Sequence, residues 1–170
     1  MNDGNRASAI ISRIRTLLMK GTPDRAELEI NEVIREVPRL LRNELTRNRV
    51  SLRIELAPDL PPVPGDRVQL QQVVLNSIDA MRTVTDRRRE LLIKSAKHLD
   101  RVLIRIQDSG SGLDPAQADR IFEPFFTNKP EGLGMGLSIG RSIVESHGGR
   151  LWALAGSDGA LFEFTLPTQD

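Results

Sequence analysis

Two glycine-rich stretches of this chain have the composition that lets a ligand touch backbone. Asp108-Ser109-Gly110-Ser111-Gly112-Leu113 follows a strand-like run, and Gly132-Leu133-Gly134-Met135-Gly136-Leu137 precedes a helix-like one. Asp108 ends the strand pattern, which puts its carboxylate at the floor of a pocket. A carboxylate accepts hydrogen bonds, and the exocyclic amine of adenine donates one. Gly110 and Gly112 remove the side chains that would keep a planar base off the backbone. The competing reading of these residues is an ordinary turn after a strand. In the second stretch Gly132, Gly134 and Gly136 alternate with Leu133, Met135 and Leu137. Exposed N–H groups, with the partial positive charge of a helix start, form an anion site suited to phosphates. No Gly-Lys-Ser/Thr tail follows and no strand precedes, so it is neither a Walker loop nor a dinucleotide fingerprint. A base at one end and phosphates at the other describe a nucleotide.

The connector between the stretches is Phe122-Glu123-Pro124-Phe125-Phe126-Thr127-Asn128-Lys129-Pro130. Phe122, Phe125 and Phe126 read as core residues that anchor a loop and form the hinge of a lid. Lys129 on that lid either reaches the phosphates or stays solvated. Upstream, Gln72, Asn76 and Asp79 lie at i, i+4 and i+7 and share one helix face. The Asn76 amide oxygen is a hard neutral ligand for a Mg²⁺ that bridges phosphates. The plainer alternative is that these side chains hydrogen-bond strand ends.

Composition narrows the classes. The chain has no cysteine, which excludes disulfides and thiolate metal sites. His98 and His147 are far apart in sequence and make a poor metal set. A net charge of +1 and 4% aromatics without tyrosine argue against nucleic acid as a partner. No apolar run approaches the roughly 20 residues of a membrane span, and the polar N-terminus has no signal-peptide core. A cytoplasmic location is expected.

With 170 residues, 39% of them hydrophobic, the chain can bury one core and carry an appended element. Residues 5–20 predict a helix, with Ala7, Ile10, Ile14 and Leu17 at 3–4 spacing. Gly21-Thr22-Pro23 breaks it. A second helix is predicted from Asn31, as N-cap, to Arg47. Its buried face is Val33, Ile34, Val37, Leu40, Leu41 and Leu45, and Pro38 kinks it. Residues 50–56 alternate as a half-buried strand. Pro58–Pro64 reads as a connector, and residues 66–84 as a helix with Val68, Val73, Val74, Leu75, Ile78 and Met81 apolar. Leu91–Ala96 and Val102–Gln107 read as strands about a turn at His98–Asp100. The last helix runs from Gly136 to His147, stopped by Gly148-Gly149. A hairpin of Arg150–Ala155 and Leu161–Leu166 closes the chain. Strands cluster late and helices fall between the earlier ones, which favours an α+β two-layer sandwich.

Taken in order, these motifs resemble the ATP-binding domain of sensor histidine kinases, which has the Bergerat ATPase fold of gyrase and related chaperones. Residues 66–84 resemble its N box, Asp108–Leu113 its first glycine box, Phe122–Lys129 its phenylalanine box and Gly132–Leu137 its second glycine box. Glu145-Ser146-His147-Gly148-Gly149 and the closing hairpin are similar to the family's end. The resemblance covers about residues 24–167. It implies an α/β sandwich that binds ATP and Mg²⁺ between a helical layer and a lid. It implies Asp108 as the adenine-reading acid and Gly110, Gly112, Leu113 and Phe126 as further nucleotide contacts. It also implies Asn76 as the Mg²⁺ ligand, Lys129 at the phosphates, and Gly132–Leu137 as the frame of the triphosphate. The implied partners are a phosphoacceptor histidine helix of the same kinase dimer and a response regulator. Residues 1–21 then read as the tail of the dimerisation region and 22–170 as the ATP-binding domain. Neither histidine lies in a phosphoacceptor context, so the acceptor is expected outside this chain.

One departure stands out. The family's N box carries two asparagines four residues apart, whereas here Asn76 follows Gln72 as if about one helical turn were absent. Removing four residues rotates the later helix face by only about 40° and shortens it by about 6 Å, so the apolar stripe survives. The alternative function this suggests is an ATP-binding regulatory module with impaired transfer. A hydrolase is disfavoured, because its general base would stand where Gln72 is. A plain helical dimerisation module would leave both glycine stretches unexplained.

Overall fold

A computed structural model describes residues 25–47, 49–81, 89–109, 120–123, 136–156 and 159–168. The predicted helix 5–20 and the break at Gly21-Thr22-Pro23 lie outside them. Among the described residues seven strands and four helices follow one another: β1 (Arg25–Leu28), α1 (Ile30–Arg35), α2 (Val37–Arg47), β2 (Val50–Glu55), β3 (Val63–Asp66), α3 (Arg67–Met81), β4 (Arg89–His98), β5 (Arg101–Asp108), α4 (Gly136–Ser146), β6 (Arg150–Gly156) and β7 (Gly159–Pro167). A short 3₁₀ turn covers Arg120–Phe122. Among the described residues no helix is long and apolar enough to cross a membrane.

Five strands form one sheet in the order β2-β4-β5-β7-β6, with only the β2–β4 pair parallel. Alternation decides its faces. Val102, Ile104 and Ile106 of β5 and Phe162, Phe164 and Leu166 of β7 point to the helices and are buried. The core closes over them with Ile30, Val33 and Ile34 of α1, Leu70, Val73 and Val74 of α3, and Ile139, Ile143 and Val144 of α4. On the other face one register row crosses all five strands: Glu55, Lys94, Arg105, Glu163, Trp152. There Glu163 accepts from Arg105 at 2.8 Å and from the Trp152 indole at 3.1 Å. The architecture is the expected α+β layering of helices on one sheet face.

The differences from expectation have local causes. The helix predicted from Asn31 to Arg47 is two helices, broken at Glu36. Proline disfavours helical backbone before it and tolerates the first turn of a new helix, so Pro38 starts α2 instead of kinking one long helix. Glu29, not Asn31, precedes α1 as N-cap. The Asn31 side chain instead donates to the Ala57 carbonyl at 2.8 Å and accepts from Ser95 Oγ at 2.8 Å, fixing the chain after β2. Glu36 in the break takes Arg67 and Gln71 of α3. Leu40, expected on the buried face, is exposed, and so is the apolar Val68. The Pro58–Pro64 connector contains the start of β3, which pairs with β1 in a separate two-stranded ribbon. Pro64 is tolerated there because a ribbon of two strands leaves each strand an unpaired edge.

Candidate nucleotide site

Asp108 is the last residue of β5 and only 2% exposed. It shares the helix-facing side with Ile104 and Ile106. The strand end is clamped: the Ser109 N–H donates to the Glu90 carbonyl at 3.0 Å, and the Glu90 N–H donates to Ser109 Oγ at 2.8 Å. The sheet thus fixes the carboxylate before the chain enters the first glycine stretch. Gly110, Gly112 and Leu113 lie outside the described residues.

Asn76 projects from α3 and is 1% exposed. Its Nδ2 donates to the carbonyl of Gly136, the first residue of α4, at 3.0 Å. Its Oδ1 accepts from Gln72 Nε2 at 2.6 Å. The predicted shared face is therefore real for Gln72 and Asn76, and it is aimed at the end of the second glycine stretch. Leu137 packs into the core beside it. A helix start leaves its first N–H groups without intrahelical acceptors and carries partial positive charge. Asn76 holds that start in place. Phe122 is the buried anchor predicted at the other end of the connector. Its ring meets Phe162 edge-on at 6.2 Å, and the Arg141 guanidinium lies 5.1 Å from its centroid. Phe125, Phe126, Lys129 and Gly132–Met135 lie outside the described residues.

α3 and α4 run antiparallel, with a polar tie at each end. The second tie involves residues that sequence reasoning did not connect. His147 Nδ1 faces the Ile143 carbonyl at 2.8 Å, and a carbonyl only accepts, so Nδ1 carries the proton. Nε2 then accepts from the Asp66 N–H at 3.0 Å. Asp66 in turn caps α3, its Oδ1 accepting from the Gln69 N–H at 3.1 Å. The signal was present: Asp66 with Gln69 three residues later, before an apolar run, has capping-box spacing. α4 ends in a Schellman motif. Gly148, at φ 81°, donates to Glu145, and Gly149 donates to Val144.

Burial lowers the His147 pKa from 6.5, opposed by its hydrogen bond to Ile143; Arg25 lowers it further and Asp66 raises it. The folded state therefore prefers neutral His147. Its contribution to stability is complete above about pH 6.5 and is lost as pH falls toward the depressed folded value. The slope in that window approaches at most about 1.4 kcal/mol per pH unit. Urea titrations from pH 7.5 to 5 are expected to show it in the native chain and to lose it in His147→Asn. An identical slope in both would exclude the assignment.

Among the described residues no three of His, Cys, Asp or Glu form a metal cluster, so these residues offer no cage of their own. Asn76 Oδ1 spends one lone pair on Gln72 and keeps a second. One hard oxygen fits a Mg²⁺ that takes its other ligands from phosphates and water.

Residues 65–170 match the family described as histidine kinase-, DNA gyrase B-, and HSP90-like ATPase. The chain is 39% identical to the sensor protein TdiS of Thauera aromatica, over 96% of this chain and 31% of that protein. It spans about a third of the length of the curated relatives it matches first. Among solved structures it resembles the catalytic domain of histidine kinase ThkA, with TM-score 0.77 and 30% identity over 85% of this chain and 96% of that one. It also resembles ThkA in complex with the response regulator protein TrrA, with TM-score 0.78 and 26% identity over 98% of this chain and 49% of that one.

Proposed function

This chain belongs to the histidine kinase-, DNA gyrase B-, and HSP90-like ATPase family, and from that premise we propose that it is the ATP-binding catalytic domain of a sensor histidine kinase. It transfers the γ-phosphoryl group of ATP to a histidine outside this chain, in two-component signalling. The observation that carries the proposal is the pairing of a buried acid at the end of β5 with an amide that ties α3 to the start of α4. Asp108 accepts from the adenine amine. Gly110, Gly112, Leu113 and Phe126 line the base. Gly132–Leu137 hold the triphosphate on backbone N–H groups, and Lys129 meets it from the connector. Asn76 lends its oxygen to Mg²⁺, which when bound neutralises charge on the phosphates. The described part of the site contains no nucleophile or strong base, so its contribution is positioning and electrostatics. Gln72 cannot take a proton from water as a carboxylate would, which favours transfer over hydrolysis.

Residues 1–21 form the tail of the dimerisation region, and 22–170 the catalytic domain, in a protein that acts as a homodimer in the cytoplasm. A response regulator is the downstream partner, a role supported by the ThkA–TrrA complex. The reading as a regulatory module is not favoured, since TdiS and ThkA, matched over 96% and 85% of this chain, carry sensor or histidine kinase names. The test is transfer in trans: the chain is mixed with Mg·ATP and the dimerisation domain that bears the acceptor histidine. Acid-labile phosphate is expected on the added domain only. Phosphate on His98 or His147, or steady ATP turnover without acceptor, would overturn the proposal.

A further inference from the structure

The polarity of the Asn76 amide follows from a single backbone group. Gly136 presents a carbonyl, which can only accept, so the Asn76 atom facing it at 3.0 Å is the NH₂. Asn76 Oδ1 then faces Gln72, and the Gln72 atom at 2.6 Å must be a donor. The relay therefore runs one way, from the Gln72 NH₂ to the Asn76 oxygen and from the Asn76 NH₂ to Gly136. The two amides sit one turn apart on α3, where side chains of a helix meet. Asn76 is 1% exposed, so bulk water cannot replace either partner.

We infer that Gln72 is a positioning residue: its amide N–H holds the Asn76 oxygen toward the cation side and blocks the flip that would present NH₂ there. The inference rests on Asn76 as the cation ligand. It predicts that the donor character of residue 72, rather than its volume, sets how strongly Mg²⁺ and nucleotide reinforce each other. Gln72→Glu keeps the shape but, when ionised, sets an acceptor against the Asn76 oxygen. The amide must then flip, which turns its oxygen toward the Gly136 carbonyl. Gln72→Met keeps the length and carries no donor at any pH.

The test is calorimetric titration of the chain with a non-hydrolysable ATP analogue, with and without Mg²⁺, at pH 8. In the native chain Mg²⁺ is expected to tighten binding. Both variants are expected to lose about tenfold or more of that enhancement at pH 8, the range for partners that orient a ligand. Metal-free affinity is expected to fall by less than the Mg²⁺ enhancement, because the Asp108 contact to the base is kept. Thermal unfolding of each variant separates loss of fold from loss of coupling. An enhancement unchanged or strengthened in Gln72→Glu at pH 8 would overturn the inference alone. A native chain whose nucleotide affinity ignores Mg²⁺ would remove the Asn76 assignment and this inference with it.

Discussion

Asp108→Asn is expected to weaken ATP binding by about 10- to 100-fold, the worth of roughly 1.5–3 kcal/mol for a hydrogen bond to a charged group, while the fold survives. The substitution is isosteric, so β5 and its clamp through Ser109 and Glu90 are undisturbed. The chemistry is not conserved. The carboxylate accepts on both oxygens, whereas the amide accepts on one and donates from the other. Where the NH₂ meets the adenine amine, two donors oppose each other in a buried place, since Asp108 is 2% exposed. Preference for ATP over GTP is expected to collapse with affinity. Parallel titrations with both nucleotides measure this, and a variant that distinguishes them as before would remove Asp108 from the base pocket.

The largest effect on stability is expected at Gly149. A Cβ there would lie 1.8 Å from the Thr165 carbonyl oxygen and 3.0 Å from Val144 Cγ1. The oxygen belongs to backbone, so no rotamer change relieves the clash. Either the β6–β7 pair opens where Arg150 meets Thr165, or the Schellman end of α4 is lost. Gly149→Ala is expected to cost at least about 3 kcal/mol, at the severe end of overpacking. Gly140 supplies the contrast. A Cβ there meets Leu151 at an ordinary 3.8 Å, so Gly140→Ala is expected to be neutral or to gain up to about 1 kcal/mol from helix propensity. Urea denaturation of the pair checks both. Equal effects at the two glycines would contradict the packing described.

What was legible in the sequence was periodic or conformationally demanding. The alternation of residues 50–56 and 102–107 gave β2 and β5 because one sheet face is buried. Gly148-Gly149 marked the end of α4 because the C′ position needs positive φ. Gln72 and Asn76 were placed on one face by helical geometry alone. Misses arose where tertiary structure decides. β1 and β3 pair across 41 residues in a proline-rich ribbon, from Arg25 to Asp66, and local propensity argues against strand there. The Asp66–His147 tie spans 81 positions and leaves no local pattern at His147. Leu40 and Val68 follow helical apolar spacing, yet the packing of α2 and α3 leaves both exposed. The nucleotide reading depended on the order of four motifs, and the structure describes the two ends it rests on, Asp108 and the start of α4.

The most direct test of that reading is a crystal structure of this chain with a non-hydrolysable ATP analogue and Mg²⁺. The adenine amine is expected within hydrogen-bond distance of the Asp108 carboxylate, and the phosphates at the first turn of α4, beside Asn76. Nucleotide bound elsewhere, or adenine seated without contact to Asp108, would contradict it.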